Sequence, residues 1–327
     1  MTPLALEPIT AAGLLITDTC PARCRHCYVV AGPDRAGWMT AQAAAAHFAA
    51  LARLGVRAER IHIGGGEPFG DFERLLAIVR AARDAGLGGV GYVETNGGWA
   101  ASETLARERL AALAEAGMRQ LAISADPYHQ EFVPPERVQL LHAVAREVLG
   151  RGGVRARRWK WLHEARDVAA MPEAARLDLF RTFLQRYPER MAGRAAEQLS
   201  ELVTRQPVEA LPAEGCRRAL LQSRHVHIEP GGWVYAGTCA GIVFGCATGD
   251  RPLDELLGRW RPEDSPLLAL LAEGGPRRLL DAARQHGFTP APGGYAGKCH
   301  LCWSVRKHLV RAGAGDATLQ PPGIYLR

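Results

Sequence analysis

The first half of the chain alternates short apolar stretches with longer amphipathic ones. Leu14-Leu15-Ile16-Thr17 reads as a buried strand running into a polar loop. Thr40 is placed to cap a helix through the Ala-rich run to Leu54, which Gly55 stops. Ile61-His62-Ile63 predicts a second strand that ends in glycines, and Asp71 caps a helix with Leu75, Leu76, Ile78 and Val79 near one face and Gly86 as its stop. A third strand starts at Val90, a third helix runs from Ser102 to Gly117, and a fourth strand starts at Leu121. Pro134-Pro135-Glu136 opens a fourth helix that ends at Gly150, and Val154 to Trp161 predicts a charged fifth strand. Repeated strand–helix units imply parallel strands with right-handed crossovers, the α/β class. Residues 170–205 read as helical instead, from Pro172 through Leu177, Phe180 and Leu184, then through Leu199 and Leu202. No sixth strand is legible there. From Cys216 the pattern changes: His225 to Cys239 reads as two strands around Pro230-Gly231-Gly232, a hairpin. We therefore expect two units, 1–210 and 211–327.

The 327 residues suffice for one large domain and a smaller one, and 47% apolar content supports a buried core. The amino terminus lacks the basic start and long apolar run of a signal peptide, and no stretch has the length of a membrane span. A cytoplasmic protein that binds no membrane is the expectation. The net charge of +6 is carried almost wholly by Arg, with Lys only at 160, 298 and 307. Together with the abundant Ala this fits GC-rich coding, so nucleic acid is not expected as a partner. Arg155-Ala156-Arg157-Arg158-Trp159-Lys160-Trp161 is the one basic stretch that suits an acidic group, though a solvated strand edge explains it as well.

The eight cysteines fall in two groups, Cys20, Cys24 and Cys27, then Cys216, Cys239, Cys246, Cys299 and Cys302. That distribution suits metal sites in a reducing compartment better than a disulfide framework. Three thiols at Cys-x3-Cys-x2-Cys leave one iron of a four-iron cube without a protein ligand, and an open metal position takes a reactant. Ile61-His62-Ile63-Gly64-Gly65-Gly66-Glu67-Pro68 adds a strand ending in a turn where main-chain groups can approach a ligand, with Glu67 as a charge at its tip.

The Cys20–Cys27 spacing and the Gly65-Gly66-Glu67-Pro68 run resemble the radical S-adenosylmethionine (SAM) superfamily. The resemblance implies a partial (β/α)6 TIM-like barrel with a small C-terminal α+β unit. It further implies a [4Fe–4S] cluster on Cys20, Cys24 and Cys27 whose open iron is chelated by SAM. His26, Tyr28, Gly65, Gly66 and Glu67 then become cofactor-binding residues. So do Thr95 and Asn96 at the third strand tip and Ser124 and Asp126 at the fourth. The implied activity is reductive cleavage of SAM to a 5′-deoxyadenosyl radical that takes a hydrogen atom from a substrate C–H bond. Oxidation or epimerisation of a sugar- or aminocyclitol-like molecule is favoured, with modification of a ribosomally made peptide as the alternative. A flavodoxin- or ferredoxin-type protein is the implied electron donor. A zinc or electron-transfer protein without catalysis is the reading from another class, and it has no use for the glycine-rich strand tip.

The order Cys216, hairpin, Cys239, then Cys299-His300-Leu301-Cys302 resembles the Twitch or SPASM auxiliary region of some of these enzymes, implying a second [4Fe–4S] cluster. The family usually has four residues between the hairpin Gly and its Cys. Here six separate Gly232 from Cys239, whereas Gly241 and Cys246 have the four-residue gap, so Cys246 rivals Cys239; Cys239 is kept as the expected ligand, with Cys216, Cys299 and Cys302, because it lies directly at the hairpin's end. A four-thiolate zinc ribbon is the competing reading. If Cys246 is not a ligand, it is either a small buried thiol or, as in certain radical SAM epimerases, a hydrogen-atom donor. Tyr128 and His129, after the fourth strand, are candidates to deprotonate or orient a substrate.

Overall fold

The computed structural model describes residues 4–158, 160 and 167–326. One eight-stranded mixed sheet organises the molecule. Its strands are β1 (Ala11–Thr17), β2 (Ile61–Gly65), β3 (Val90–Thr95), β4 (Met118–Ser124), β5 (Val154–Arg157), β6 (His225–Ile228), β7 (Trp233–Ala236) and β8 (Val243–Cys246), in the order β5-β4-β3-β2-β1-β6-β7-β8. Strands β1 to β5 are parallel neighbours, joined by crossover helices α1 (Ala41–Arg53), α2 (Phe72–Ala82) and α3 (Glu103–Ala116), and by α4 (Pro127–Gln130) and α5 (Pro135–Val148) between β4 and β5. The cap residues act as their chemistry predicts. Thr40, Asp71 and Ser102 each accept a backbone N–H of the first turn, and Gly117 closes α3 in the left-handed region at φ 113°.

Within the expected partial barrel, the sixth parallel strand does not follow β5. The chain there forms the helix Glu173–Arg186 and a short helix Arg194–Gln198. The sixth strand is β6, which pairs in parallel with the opposite edge of β1. Strands β6, β7 and β8 then continue antiparallel, so the sheet is unbroken across residue 211. Strand β5 ends at Arg157, and Trp159 and Trp161 of the predicted strand lie outside the described residues.

The two faces of the sheet differ in chemistry. Ile61 and Ile63 are fully buried, as are Val93, Leu121 and Ile123, together with Phe48, Leu51, Leu75, Ile78, Leu110 and Leu141 of the crossover helices. The alternate positions are polar. Register aligns His227, Gly13, His62, Tyr92 and Gln120 in one row across β6 to β4, and Ser124 with Arg157 nearer the strand tips. Because side chains alternate along a strand, one face packs under the helices while the other lines the barrel interior.

Candidate metal centre

The loop after β1 is tied down at its root. The Thr17 hydroxyl donates to Gly37 O (2.8 Å), the Asp18 carboxylate takes Gly37 N (2.7 Å) and pairs with Arg35 (2.7 Å), and Cys20 N donates to Gly32 O (3.1 Å). The strand-tip glycines press against this root. Gly66 N donates to Thr17 O (2.7 Å) and Glu67 N to Thr19 O (2.9 Å). A Cβ at Gly66 would sit 2.0 Å from Thr19 O, so only glycine permits the approach.

Cys20, Cys24 and Cys27 line one cavity together with His26, Tyr28, Gly65, Gly66, Thr95, Asn96, Ser124 and His129. The sulfurs have donors: Asn96 Nδ2 faces Cys20 Sγ at 3.7 Å, and Ala31 N faces Cys27 Sγ at 3.4 Å. Burial pushes the Cys20 thiol up to about 12 and raises Cys27 as well. Three thiols lining one cavity suit a metal cluster, which deprotonates its ligands. The buried Nδ1 of His26, on the same wall, has no hydrogen-bond partner among the described residues. These features fit a [4Fe–4S] cluster with one iron left open.

Glu67 is buried behind the cavity, where its carboxylate accepts Thr95 Oγ1 (2.8 Å), Asn96 N (2.8 Å) and Phe69 N (3.1 Å). Burial pushes it up to about 7, against the pull of those donors. At the β4 tip, the Asp126 carboxylate caps α4 and holds His129 Nδ1 at 2.7 Å. Burial opposes charge on both. The contact nonetheless holds Asp126 well below the usual carboxylate range and His129 well above the usual imidazole range. With Nδ1 held by Asp126, His129 is fixed in orientation, which suits positioning a substrate. Tyr128 is not brought to the cavity: it is fully buried, stacked on His26 at 4.8 Å and packed against Phe180 and Phe183.

A second cavity adjoins the first and shares His26, Tyr28, Ser124, His129 and Arg157 with it. It extends past Asp126 to Arg158, Glu189, Arg190 and Thr238. Part of the basic stretch therefore faces this space, although Arg155 lies over the Tyr92 ring at 4.0 Å.

Cys216, Cys239, Cys299 and Cys302 line a third, mostly apolar cavity with Arg190 and Arg306. Cys299 and Cys302 share the first turns of the helix Lys298–Arg311, on which Arg306 lies one turn beyond Cys302. Burial pushes Cys216 up to about 11 and Cys302 up to about 12. Arg306 is itself buried, with Nη1 donating to Ala240 O (2.8 Å) and the Tyr325 hydroxyl (2.7 Å), while its Nε has no partner among the described residues. A buried cation beside four thiols calls for an anionic centre, and a thiolate-bound cluster supplies one. Cys246 is not brought to any of these cavities. It ends β8 opposite Trp233, half-buried, with Sγ donating to Gly231 O at 3.4 Å.

The sequence reading missed Arg194. This buried side chain donates to Cys24 O (2.9 Å) and Ala31 O (2.6 Å), while its own N–H donates to Cys27 O (3.1 Å). Gly193 before it has φ 60°, and a Cβ there would lie 2.6 Å from Cys27 O. Nothing in local sequence marks the pair, because 166 residues separate Cys27 from Gly193. Arg190 was likewise unmarked: Nη1 donates to Thr238 O (3.2 Å) and faces Cys239 Sγ (3.6 Å), so it borders both the second and the third cavity.

Residues 14–170 match the family model described as the Radical SAM superfamily. No curated protein matches the chain. Among solved structures, the chain is similar to BtrN in complex with AdoMet and 2-DOIA at 13% identity and a TM-score of 0.44, over 83% of this chain and 89% of that one. It is similar to selenomethionine BtrN in an open conformation at 14% identity and a TM-score of 0.42, over 82% and 87%. It is also similar to anSMEcpe with bound AdoMet and the Cp18Cys peptide at 14% and 0.45, over 93% and 96%.

Proposed function

We propose, from the radical SAM domain carried by residues 14–170, that this protein is an enzyme cleaving SAM reductively to abstract a hydrogen atom from a small polar substrate. In this reading Cys20, Cys24 and Cys27 hold the SAM-binding [4Fe–4S] cluster, and Cys216, Cys239, Cys299 and Cys302 hold a second cluster. When bound, the first cluster and SAM supply the 5′-deoxyadenosyl radical. Around them the backbone of Gly65 and Gly66 binds the amino-acid end of SAM, and Glu67 braces that tip against β3 from behind. Thr95, Asn96, Ser124 and Asp126 bind its remaining polar groups. His26 and Tyr28 wall the cluster side, and His129 orients the substrate.

The single observation carrying the proposal is the convergence of the three-thiol loop, the glycine-rich tip and the β3 and β4 tips on one cavity. The adjoining space supports this choice of substrate. Asp126 and Glu189 stand there with Arg157, Arg158 and Arg190, donors and acceptors suited to an aminated, polyhydroxylated ring. Its oxidation or epimerisation is the proposed outcome. Cys246 is left without a catalytic part, since it borders neither space.

The test is anaerobic turnover of the reconstituted protein with dithionite and SAM. Release of 5′-deoxyadenosine is expected, with a rate that rises when the correct aminocyclitol or sugar is added and does not respond to peptides. The variant lacking the thiols of Cys20, Cys24 and Cys27 should release none and keep about four irons. A colourless zinc protein that leaves SAM intact would reject the proposal.

A further inference from the structure

The barrel interior holds a group of side chains that the reaction above does not use. His62 on β2 and His225 and His227 on β6 place one imidazole nitrogen each within 4.8 Å of one another. Register explains how. Gly13 of β1 is the partner of both His62 and His227, so the two imidazoles flank it on one face, and His225, two residues before His227, lies on that same face. Gly13 is what makes the room: a Cβ there would lie 2.4 Å from His62 Cε1 and 2.5 Å from His227 Cδ2.

The donor chemistry is already arranged. His227 Nδ1–H donates to Gly237 O at 2.8 Å, which leaves the Nε2 lone pair as the acceptor or ligand end of the ring. That Nε2 lies 3.4 Å from His225 Nε2. Two nitrogens bound at about 2.0–2.1 Å to one tetrahedral zinc are roughly 3.3–3.4 Å apart. His62 is braced by stacking on Tyr92, with centroids 4.9 Å apart and planes 4° from parallel. Burial lowers the proton affinity of all three rings, and metal binding needs them neutral.

We propose that His62, His225 and His227 form a binding site for one divalent transition-metal ion, zinc foremost, that fastens β6 to β2 across β1. No carboxylate belongs to the trio, so hard oxygen-seeking cations such as magnesium and calcium do not suit it. The fourth position is left for water. Gly13 lies four residues, roughly 13 Å, before Thr17, where the cysteine loop begins. The trio shares no ligand with the three-thiol centre, although the His227 ring lies 6.2 Å from that of Tyr28, which walls that cavity.

The experiment uses the full chain with its iron–sulfur centres loaded. Zinc chloride is added anaerobically, unbound metal is removed by gel filtration, and zinc and iron are counted together. One zinc per chain is expected on top of undiminished iron. Its X-ray absorption edge should show nitrogen and oxygen neighbours with imidazole scattering and no sulfur. His62→Gln, His225→Gln and His227→Gln should each weaken zinc about tenfold or more without iron loss. His225 is half-buried, so its variant is the one that best keeps the fold. No retained zinc, a sulfur shell, or equal retention in these variants would overturn the site. The wild-type edge spectrum decides even if a variant misfolds.

Discussion

Arg194 ties together two segments that lie far apart in the sequence. It satisfies two carbonyls of the cysteine loop from inside the core. Each hydrogen bond from a charged donor is worth about 1.5–3 kcal/mol, and losing the donor leaves buried carbonyls unpaired. Arg194→Met should therefore cost the folded protein about 3 kcal/mol and release the irons of the three-thiol loop first. Denaturant midpoints and iron counts check this. Arg194→Lys should fall between the two, because an ammonium lacks the planar fork that reaches Cys24 O and Ala31 O together. The thiols themselves are plain in the sequence, since their spacing is local. Arg194 is not, since its partner lies far away along the chain.

At the level of elements, the crossover helices are legible because their caps are local chemistry. Thr40, Asp71 and Ser102 each bond the amide three residues on, and Gly117 stops α3 by its own backbone freedom. Strand β6 is different. His225-Val226-His227-Ile228 reads as half of a hairpin, yet its other edge is spent on β1. Strand β1 is buried over its full length, so stripping away β6 exposes an apolar strand with an unpaired edge. A fragment of residues 1–210 should aggregate or unfold without a cooperative transition, whereas the whole chain unfolds in one. Circular dichroism melts of the two decide it. A cooperative melt for the fragment would mean that β1 does not need its C-terminal neighbour. No helix among the described residues is long and apolar enough to cross a membrane.

Over the whole molecule, Arg190 stands where the polar space beside the strand tips meets the four-thiol cavity. A hydrogen-bond donor to a ligand sulfur raises the reduction potential of a cluster. Arg190→Met should lower the potential of the second centre by tens of mV at unchanged iron content, about 60 mV being tenfold in a one-electron equilibrium. An EPR-monitored redox titration reads this, and an unchanged potential would detach Arg190 from that centre. Sequence alone determined the strand–helix repeat, the two thiol groups and the glycine-rich tip, because caps, alternation and short spacings act over a few residues. Only the tertiary structure decided that Tyr128 faces the core, that Arg194 reaches the cysteine loop, and that three histidines meet across Gly13. Those outcomes depend on which strand edges pair and in what register, and register is set by packing between segments up to about two hundred residues apart.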